Sequence, residues 1–222
     1  MRAEALITVE AHSLVKRYGA IRALDSVSFR LDPATLTFVT GPNGAGKSTL
    51  LRVLATLTRP TSGEVRLTGK DPFGKDGSSL RSQVGWIGAA AGLYADLTVE
   101  ENLSFHARLH GLDAGRIEPA LTDFGLTGLR DRRVRTLSQG FRRRAGLARV
   151  LLSAPSLLLL DEPWNGLDLA ASEQLLQVLR AHRAKGGTIL TSRHGQTDGA
   201  DRILHLVDGR LCEPPSSPGE AV

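Results

Sequence analysis

The sequence of 222 residues has one cysteine, Cys212, and only 5% of its residues are aromatic. A single cysteine cannot form an intrachain disulfide, and the sequence shows no cysteine cluster with the spacing of a structural zinc site. These absences predict a protein of a reducing compartment. Scarce aromatic residues argue against a protein that binds single-stranded nucleic acid by stacking on its bases.

Long hydrophobic runs are also missing from the sequence. The apolar runs are short, as at Leu157–Leu160, whereas a membrane-spanning helix needs roughly 20 such residues. The first residues, Met1–Glu4, show neither the apolar stretch nor the cleavage site of a secretory signal. We therefore expect a protein that neither crosses a membrane nor is secreted by that route.

The overall composition is that of an ordinary globular protein. Hydrophobic residues make up 41% of the chain and charged residues 23%, which excludes wholesale disorder. The length suits one domain, or one domain with an inserted subdomain. The formal net charge of +5 suits an anionic partner, whether nucleic acid, nucleotide or lipid headgroup. Charge alone does not choose among these partners.

Strand-like and helix-like patterns alternate along most of the chain. The continuous leucines of 157–160 are typical of a parallel strand that is covered on both faces. Alternation of this kind predicts a doubly wound α/β core, into which a mostly helical stretch is inserted. The predicted strands are 5–10, 26–31 (with a turn at Tyr18-Gly19), 36–40, 84–87, 157–160, 187–191 and 202–207.

The predicted helices have recognisable ends. After Lys47, apolar residues as far as Leu57 indicate a buried helix that Pro60 and Gly63 terminate. Residues 98–153 are mostly helical, Thr98 and Glu101 form a capping box, and Ser138 is the N-cap of a further helix. One more helix covers 169–184. The Pro- and Ser-rich residues 213–222 are predicted to be a disordered tail after a domain of residues 1–212.

Residues 41–48 predict a phosphate-binding site. They match the pattern G-x-x-x-x-G-K-[ST] and lie between a predicted strand and a predicted helix. Glycines let successive backbone N–H groups converge on phosphate oxygens, and the following helix adds its positive N-terminus. Lys47 would neutralise the β- and γ-phosphates, and the Ser48 hydroxyl would coordinate Mg²⁺. The expected ATP-binding residues here are Gly41, Pro42, Asn43, Gly44, Ala45, Gly46, Lys47, Ser48 and Thr49.

Two carboxylates follow the buried leucine strand. Asp161 would lie beside the phosphate loop and hold Mg²⁺ through water, and Glu162 would face the space where water attacks the γ-phosphate. Taken alone, the motif also fits a strand that ends in a solvated acidic turn. Together with the phosphate loop it predicts a nucleotide-hydrolysing site.

Further motifs of the chain resemble those of the ABC-type ATPases. Leu137-Ser138-Gln139-Gly140-Phe141 resembles the LSGGQ signature, and Trp164-Asn165-Gly166-Leu167-Asp168 resembles the D-loop. His194 follows a strand as the switch histidine of that family does. Tyr18 stands where the family has an aromatic residue that stacks on adenine. The resemblance covers nearly the whole chain.

This resemblance implies a fold and a mechanism. The fold class would be α/β, a P-loop NTPase of the ABC cassette type with a mostly parallel core sheet, an N-terminal antiparallel β part and a helical subdomain inserted at about 90–153. Two ATPase subunits, alike or different, would form a head-to-tail dimer around two ATP molecules. Each ATP would meet the phosphate loop of one subunit and the signature residues Ser138, Gln139 and Gly140 of the other.

The resemblance also implies roles for single residues. Glu162 would orient or deprotonate the attacking water, His194 would hydrogen-bond the γ-phosphate, and Asp168 would belong to the D-loop. The cofactors would be ATP and Mg²⁺. The arginines around the signature are interpreted as one solvated helix face and its approach loop. They are Arg142, Arg143 and Arg144 after the signature, and Arg130, Arg132, Arg133 and Arg135 before it.

The sequence departs from the family pattern in two places. The family has a glutamine that binds Mg²⁺ near residue 89, where this chain has Ala89, and Gln83 comes too early to replace it. In the signature, Gln139 and Phe141 replace a glycine and a glutamine. The predicted consequence is slow catalysis, with Mg²⁺ dependent on Ser48, Asp161 and additional waters.

The chain is similar to the heme-exporter ATPases of cytochrome c maturation, the CcmA family. The shared features are its length, the pattern I-G-x-x-x-G at 87–92 and the arginines after the signature. This likeness implies a separate transmembrane permease subunit and a peripheral location at the cytoplasmic face of the cell membrane. Because the sequence has no CxxCH motif, direct ligation of heme is not expected.

Three alternatives remain open at this point. Exporter ATPases for drugs, antibiotics or lipoproteins share most of these features. The basic charge raises the possibility of a soluble ABC ATPase that acts on nucleic acid or the ribosome, but such proteins usually carry two cassettes or extra modules, so no direct nucleic-acid contact is expected. A regulator that has lost hydrolysis would explain Ala89, but Glu162 and His194 argue against it.

Overall fold

A computed structural model describes residues 6–75, 77–193 and 197–213. Met1–Glu4, His194 and the tail residues 214–222, on which predictions were made above, lie outside these described residues. Within the described ranges the elements are, in chain order, β1 Val9–Tyr18, β2 Ile21–Leu31, β3 Leu36–Thr40, α1 Lys47–Leu54, β4 Ser62–Leu67, α2 Gly77–Arg81, β5 Val84–Ile87, α3 Val99–Leu109, α4 Ile117–Asp123, α5 Gln139–Leu152, β6 Leu157–Leu160, α6 Leu169–Ala184, β7 Thr188–Ser192, β8 Arg202–Val207 and β9 Arg210–Cys212.

The strands form two sheets. The larger has the order β5-β6-β7-β3-β8-β9, in which all neighbouring pairs are parallel except the last, β8 and β9. The smaller sheet is antiparallel, with the order β2-β1-β4. The helices α3, α4 and α5 lie between β5 and β6 in the chain. The predicted fold class is confirmed.

Strand β6 shows why its sequence lacks polar alternation. Leu157 and Leu159 belong to a core that also contains residues of β1, β2 and α1. Leu158 and Leu160 belong to a second core, formed with helices α3 to α6. Because successive side chains of a strand point to opposite faces, a strand between two cores must be apolar at every position. The interpretation of the leucine run is confirmed.

Both predicted helix caps are present. The Thr98 hydroxyl accepts a hydrogen bond from the Glu101 N–H at 3.1 Å, and the Glu101 carboxylate accepts one from the Thr98 N–H at 2.7 Å, which completes the capping box of α3. The Ser138 hydroxyl caps α5 by accepting from the Phe141 N–H at 3.3 Å. Among the described residues, no helix combines the length and the apolar character needed to cross a membrane.

The prediction that the first helix continues to Leu57 is wrong. Helix α1 ends at Leu54 in a Schellman motif, in which the Leu57 N–H donates to the Arg52 carbonyl at 3.0 Å and the Thr56 N–H donates to the Val53 carbonyl at 3.0 Å. Thr56 takes the left-handed conformation, φ +59°, that glycine usually provides there. Leu57 is therefore outside the helix and is 55% exposed.

Several other boundaries also differ from the prediction. Gly63 lies inside β4 rather than ending a helix, and β1 and β2 extend to the tight turn at Gly19, whose place was predicted correctly. Strands β4 and β9 and helix α2 were not predicted. They are short and bury few apolar side chains, so their sequences carry weak periodic signals.

Candidate functional site

Four strand ends meet at one edge of the larger sheet. The phosphate loop follows β3, Gly88 follows β5, Asp161 follows β6, and β7 ends at Ser192. Backbone hydrogen bonds tie these segments together, as in the bond from the Asp161 N–H to the Ile87 carbonyl at 2.9 Å. The carboxyl edge of a parallel sheet is where α/β proteins bind their ligands.

The side chain of Lys47 forms hydrogen bonds with the backbone of the phosphate loop itself. Lys47 is 6% exposed, and its ammonium donates to the carbonyls of Gly41 at 2.7 Å and Pro42 at 2.8 Å. Burial lowers the pKa of Lys47, and the charges of Glu162 and Asp161 act in the opposite direction. The lysine therefore holds the loop in shape and places a positive charge beside the two carboxylates.

Glycine is required at two positions of the loop. Gly41 has φ +134° and approaches β8 so closely that a Cβ would collide with the Leu206 carbonyl. Gly46 has φ +103°, and a Cβ there would meet the Ala23 carbonyl. Helix α1 begins at Lys47, so its positive N-terminus opens onto the loop.

The remaining loop residues differ in exposure. Pro42, Asn43, Gly44 and Ser48 are exposed, Thr49 is half-buried in the first turn of α1, and Ala45 is buried. The Ala45 carbonyl accepts a hydrogen bond from the Gly209 N–H at 3.0 Å. The turn between β8 and β9 thus supports the loop from behind, while its outer residues stay accessible to a ligand.

Asp161 and Glu162 are fixed through one hydroxyl. The Ser192 Oγ donates to Asp161 Oδ1 at 2.8 Å and accepts from the Glu162 N–H at 2.7 Å. Glu162 itself has φ +48°, in the left-handed region that residues with a side chain rarely adopt. The Asn165 amide donates to Glu162 Oε2. The backbone and the carboxylate of Glu162 are both held in place.

Both carboxylates open into a cavity of about 530 Å³. Its lining also includes Ser48 and Gln139, so residues of the phosphate loop and of the signature meet in one space. The Ser48 hydroxyl and the Asp161 carboxylate supply hard oxygen ligands, which Mg²⁺ prefers. This donor set fits the metal that the sequence predicted.

Ala89 lies in the lining of the same cavity and is exposed. Gln83 precedes β5 and is therefore at the opposite end of that strand, where its amide donates to the Ser79 carbonyl at 3.1 Å. The structure places Gln83 away from the cavity, as its sequence position indicated. The cavity has an alanine methyl where the resemblance to the ABC-type ATPases predicts a glutamine.

The signature residues and the D-loop pack against each other. Ser138 and Gln139 are exposed at the start of α5, and a Cβ on Gly140 would be 2.6 Å from the Gly166 carbonyl oxygen. Asp168 caps α6 by accepting from the Ala171 N–H at 2.8 Å, and it forms an ion pair with Arg144 at 3.3 Å. The start of α5 therefore presents exposed polar residues, supported by the D-loop behind them.

Tyr18 lies at the end of the β1–β2 hairpin. Its side chain is 46% exposed, and the Lys16 ammonium lies 5.0 Å from the ring centroid. The same ammonium donates to the Arg59 carbonyl at 2.9 Å, which fixes it over the ring. His194, the predicted switch histidine, lies outside the described residues.

The interpretation of the three arginines as one solvated face is wrong for Arg143. Arg142 is exposed and Arg144 half-buried, but Arg143 is 6% exposed. Successive helical residues point about 100° apart, so three in a row cannot share one face. Arg143 lies on the buried face with Leu147 and Val150, at i+4 and i+7. Burial lowers the pKa of Arg143, while the charges of Asp161 and Glu162 raise it.

Sequence reasoning missed three residues of this site: Arg143, Ser192 and Asn165. The helical period described above would have found Arg143. Ser192 lies at the end of a buried strand next to β6, a position that parallel pairing of the two strands could have indicated. The local sequence carries no signal for the contact between Asn165 and Glu162.

Comparison with known proteins gives a consistent result. The family described as "ABC transporter" matches residues 24–165. The chain is 38% identical over 200 residues to the cytochrome c biogenesis ATP-binding export protein CcmA 2 of Cupriavidus metallidurans, covering 89% of this chain and 94% of that protein. It is 37% identical over 216 residues to the daunorubicin resistance ATP-binding protein DrrA3 of Streptomyces coeruleorubidus, covering 94% and 67%.

A solved structure is similar over nearly its whole length. The ATP-binding cassette MJ0796, a dimer in a post-hydrolysis state with ADP and Pi, matches with a TM-score of 0.83 and 25% identity, covering 91% of this chain and 96% of that one. The ADP and Pi in that structure are the products of ATP hydrolysis. ATP hydrolysis is also the reaction that the phosphate loop and Asp161–Glu162 predict here.

Proposed function

This chain belongs to the ABC transporter family and is an ATP-hydrolysing subunit of exporter type, and on that premise we propose that it powers heme export for cytochrome c maturation through a separate transmembrane permease. Members of this family dimerise and work with transmembrane subunits. The observation that carries the proposed site is that Ser48, Asp161 and Glu162 line one cavity beside Lys47.

We propose that this cavity receives the triphosphate end of ATP. Residues 41–49 would surround the phosphates with backbone N–H groups and the Lys47 ammonium. Ser48 would hold Mg²⁺ directly and Asp161 through water, and the bound metal would neutralise charge on the phosphates. Glu162 would orient or deprotonate the attacking water, and His194, which is not among the described residues, would hydrogen-bond the γ-phosphate.

The exposed signature supports a proposed head-to-tail dimer. Ser138, Gln139 and Gly140 lie at the positive end of α5, so they would add donors to the ATP held by a second subunit. Asp168 would contribute from the D-loop, and Tyr18 would stack on adenine. Homodimer and heterodimer are both compatible with this arrangement. The peripheral location at the cytoplasmic face of the membrane follows from the proposed permease.

The proposed domain organisation completes this picture. Residues 1–212 would form the ATP-binding domain, with the helical subdomain at about 90–153 and the tail at 213–222. In the described part of that region, α3, α4 and α5 pack together without a strand between them. We expect neither heme nor nucleic acid to bind this subunit directly.

Heme export is favoured over drug export because the chain matches a larger share of the relative named for cytochrome c biogenesis. The relative named for cytochrome c biogenesis is matched over 94% of its length, and the relative named for daunorubicin resistance over 67%. The drug exporter stays as the second candidate because the two identities differ by only one percentage point.

Deletion of the gene in its native host separates the two candidates. Heme export predicts loss of heme-stained c-type cytochromes, restored by the wild-type chain but not by Lys47→Ala at equal protein level. Normal cytochromes together with increased sensitivity to a cytotoxic drug would instead support drug export and reject the heme proposal. The exposed-lysine variant Lys185→Ala is the matched control and should restore the wild-type phenotype.

A further inference from the structure

The buried guanidinium of Arg143 lies against the backbone that follows strands β5 and β6. Arg143 Nη1 donates to the Gly88 carbonyl, and Nη2 donates to the carbonyls of Asp161 and, at 2.8 Å, of Glu162. Its Nε is 3.4 Å from the Pro163 carbonyl, a weaker contact. One side chain of α5 therefore joins the ends of two neighbouring strands, β5 and β6, through backbone oxygens.

Arginine suits this position for geometric reasons. Its planar guanidinium carries five N–H donors in a fixed fork, whereas lysine carries a single ammonium at the end of a flexible chain. A buried charge is tolerated only when it is hydrogen-bonded, and here carbonyl oxygens provide the partners. A lysine could reach one or two of these carbonyls but could not span the two strand ends as Arg143 does.

The conformation of Glu162 requires such support. Its φ of +48° is unfavourable for a residue with a side chain, and such strain persists only where the surroundings impose it. The Glu162 N–H is held by Ser192 and its carboxylate by Asn165. Its carbonyl is held by Arg143. The same carbonyl also accepts from the Asn165 N–H at 3.2 Å, so without the arginine it loses its charged donor and the backbone after Glu162 is held less firmly.

We propose that Arg143 is a positioning residue. It holds the strained backbone of Glu162, and thereby the Glu162 carboxylate, in a fixed position relative to the start of α5. This inference rests on the role proposed for Glu162. The first residues of α5, Ser138–Gly140, would meet the ATP of the second subunit, and Arg143 follows on the same helix. Arg143 therefore links the helix that would meet that ATP to the Glu162 of its own subunit.

The first test separates binding from turnover. Arg143→Lys and Arg143→Gln should lower kcat by about tenfold or more while KM and the affinity for ATP change by less than about threefold. Arg149→Lys is the matched control, since Arg149 is a partly buried arginine on the same helix that lies against Gly92 rather than Glu162. Its kcat should stay within about twofold of the wild type.

The second test asks whether Arg143 acts through Glu162. In the Glu162→Gln background, adding Arg143→Gln should change the residual rate by less than about twofold, because the group that the arginine positions is already gone. Losses that multiply across the double mutant would overturn the proposal. So would a fall in ATP affinity as large as the fall in kcat, because that result would indicate a structural role only.

The outcomes distinguish this inference from the proposed function. If Glu162→Gln keeps near-normal turnover, the role proposed for Glu162 fails. If Glu162→Gln is inactive but Arg143→Lys and Arg143→Gln keep the wild-type kcat, only the inference about Arg143 fails. Should Arg143→Gln not fold, which a thermal melt would show, Arg143→Lys keeps the charge and decides the question by the same split between kcat and KM.

Discussion

The chain has two proposed phosphate-binding surfaces, and they are built differently. The phosphate loop with Asp161 and Glu162 is supported from several sides, by the Lys47 ammonium, the Ser192 hydroxyl and the Arg143 guanidinium. The signature residues Ser138 and Gln139 are exposed. The first surface is formed by one chain, whereas the second is presented outward for a second subunit to use. Variants should therefore affect ATP binding and hydrolysis at the first surface and association of the subunits at the second.

The largest effect is expected from Glu162→Gln. Glutamine keeps the size of the side chain but cannot accept a proton, so kcat should fall by about 10²–10⁴-fold, the range for a general base. ATP binding should persist, and size exclusion should show an ATP-bound dimer that no longer dissociates. The exposed Glu173→Gln on α6 is the control and should leave turnover unchanged. Near-normal hydrolysis by Glu162→Gln would remove this residue from its proposed role.

Lys47→Ala should produce the next largest effect. It deletes the only charged side chain of residues 41–48, and hydrogen bonds to charged groups contribute about 1.5–3 kcal/mol each. We expect the affinity for ATP to fall by about 10- to 100-fold in a nucleotide titration. Lys185→Ala, at an exposed lysine after α6, should bind as the wild type does. Unchanged affinity in Lys47→Ala would mean that the loop is structural.

Ser138→Ala tests the second surface. It removes a helix cap, which costs about 1 kcal/mol of stability, and also a donor to the ATP of the second subunit. We expect ATP-dependent dimerisation of the Glu162→Gln chain to weaken by about tenfold, with ATP affinity of the monomer unchanged. Thr98→Ala removes the equivalent cap of α3 and should destabilise the fold to a similar extent without affecting the dimer. Equal dimerisation by both variants would contradict the proposed role of Ser138.

The smallest of these effects is expected from Ala89→Gln. The alanine is exposed in the cavity that Ser48 and Asp161 line, so a glutamine there would extend into the space where these residues would hold the metal. A recovered ligand would lower the Mg²⁺ concentration for half-maximal ATPase activity, by up to about tenfold if it contributes as one hydrogen bond to a charged group. Superimposable Mg²⁺ titrations of the variant and the wild type would show that the alanine is already compensated.

Strong local patterns explain what the sequence predicted well. The leucines of β6, the caps at Thr98 and Ser138, and the helix at 169–184 each carry their signal within a few neighbouring residues. The phosphate loop is encoded in the same way, since its glycines and its lysine are adjacent in the chain. The contacts of Lys47 with Gly41 and Pro42 confirm that these residues form one loop.

Features that depend on distant neighbours escaped the sequence. The left-handed conformation of Glu162 is imposed by Ser192, Asn165 and Arg143, two of which are far away in the chain. Thr56 ends α1 in a conformation that glycine normally signals. Local propensity does not predict the conformation of Glu162, because tertiary contacts decide it. It does not predict the end of α1 either, because threonine is not a residue that normally signals a left-handed C-terminal position.

The hairpin end with Tyr18 and Lys16 has a consequence for the choice of nucleobase. The ammonium lies over one face of the Tyr18 ring, and stacking of a base on a tyrosine ring does not read the hydrogen-bonding edge that distinguishes adenine from guanine. If Tyr18 stacks on the base as proposed, GTP should be hydrolysed with a kcat/KM within about tenfold of that for ATP, since stacking is tolerant of base identity. A much larger preference for ATP would require an additional contact to the base. With stacking alone, the abundance of ATP in the cell, rather than selection by the protein, makes ATP the working nucleotide.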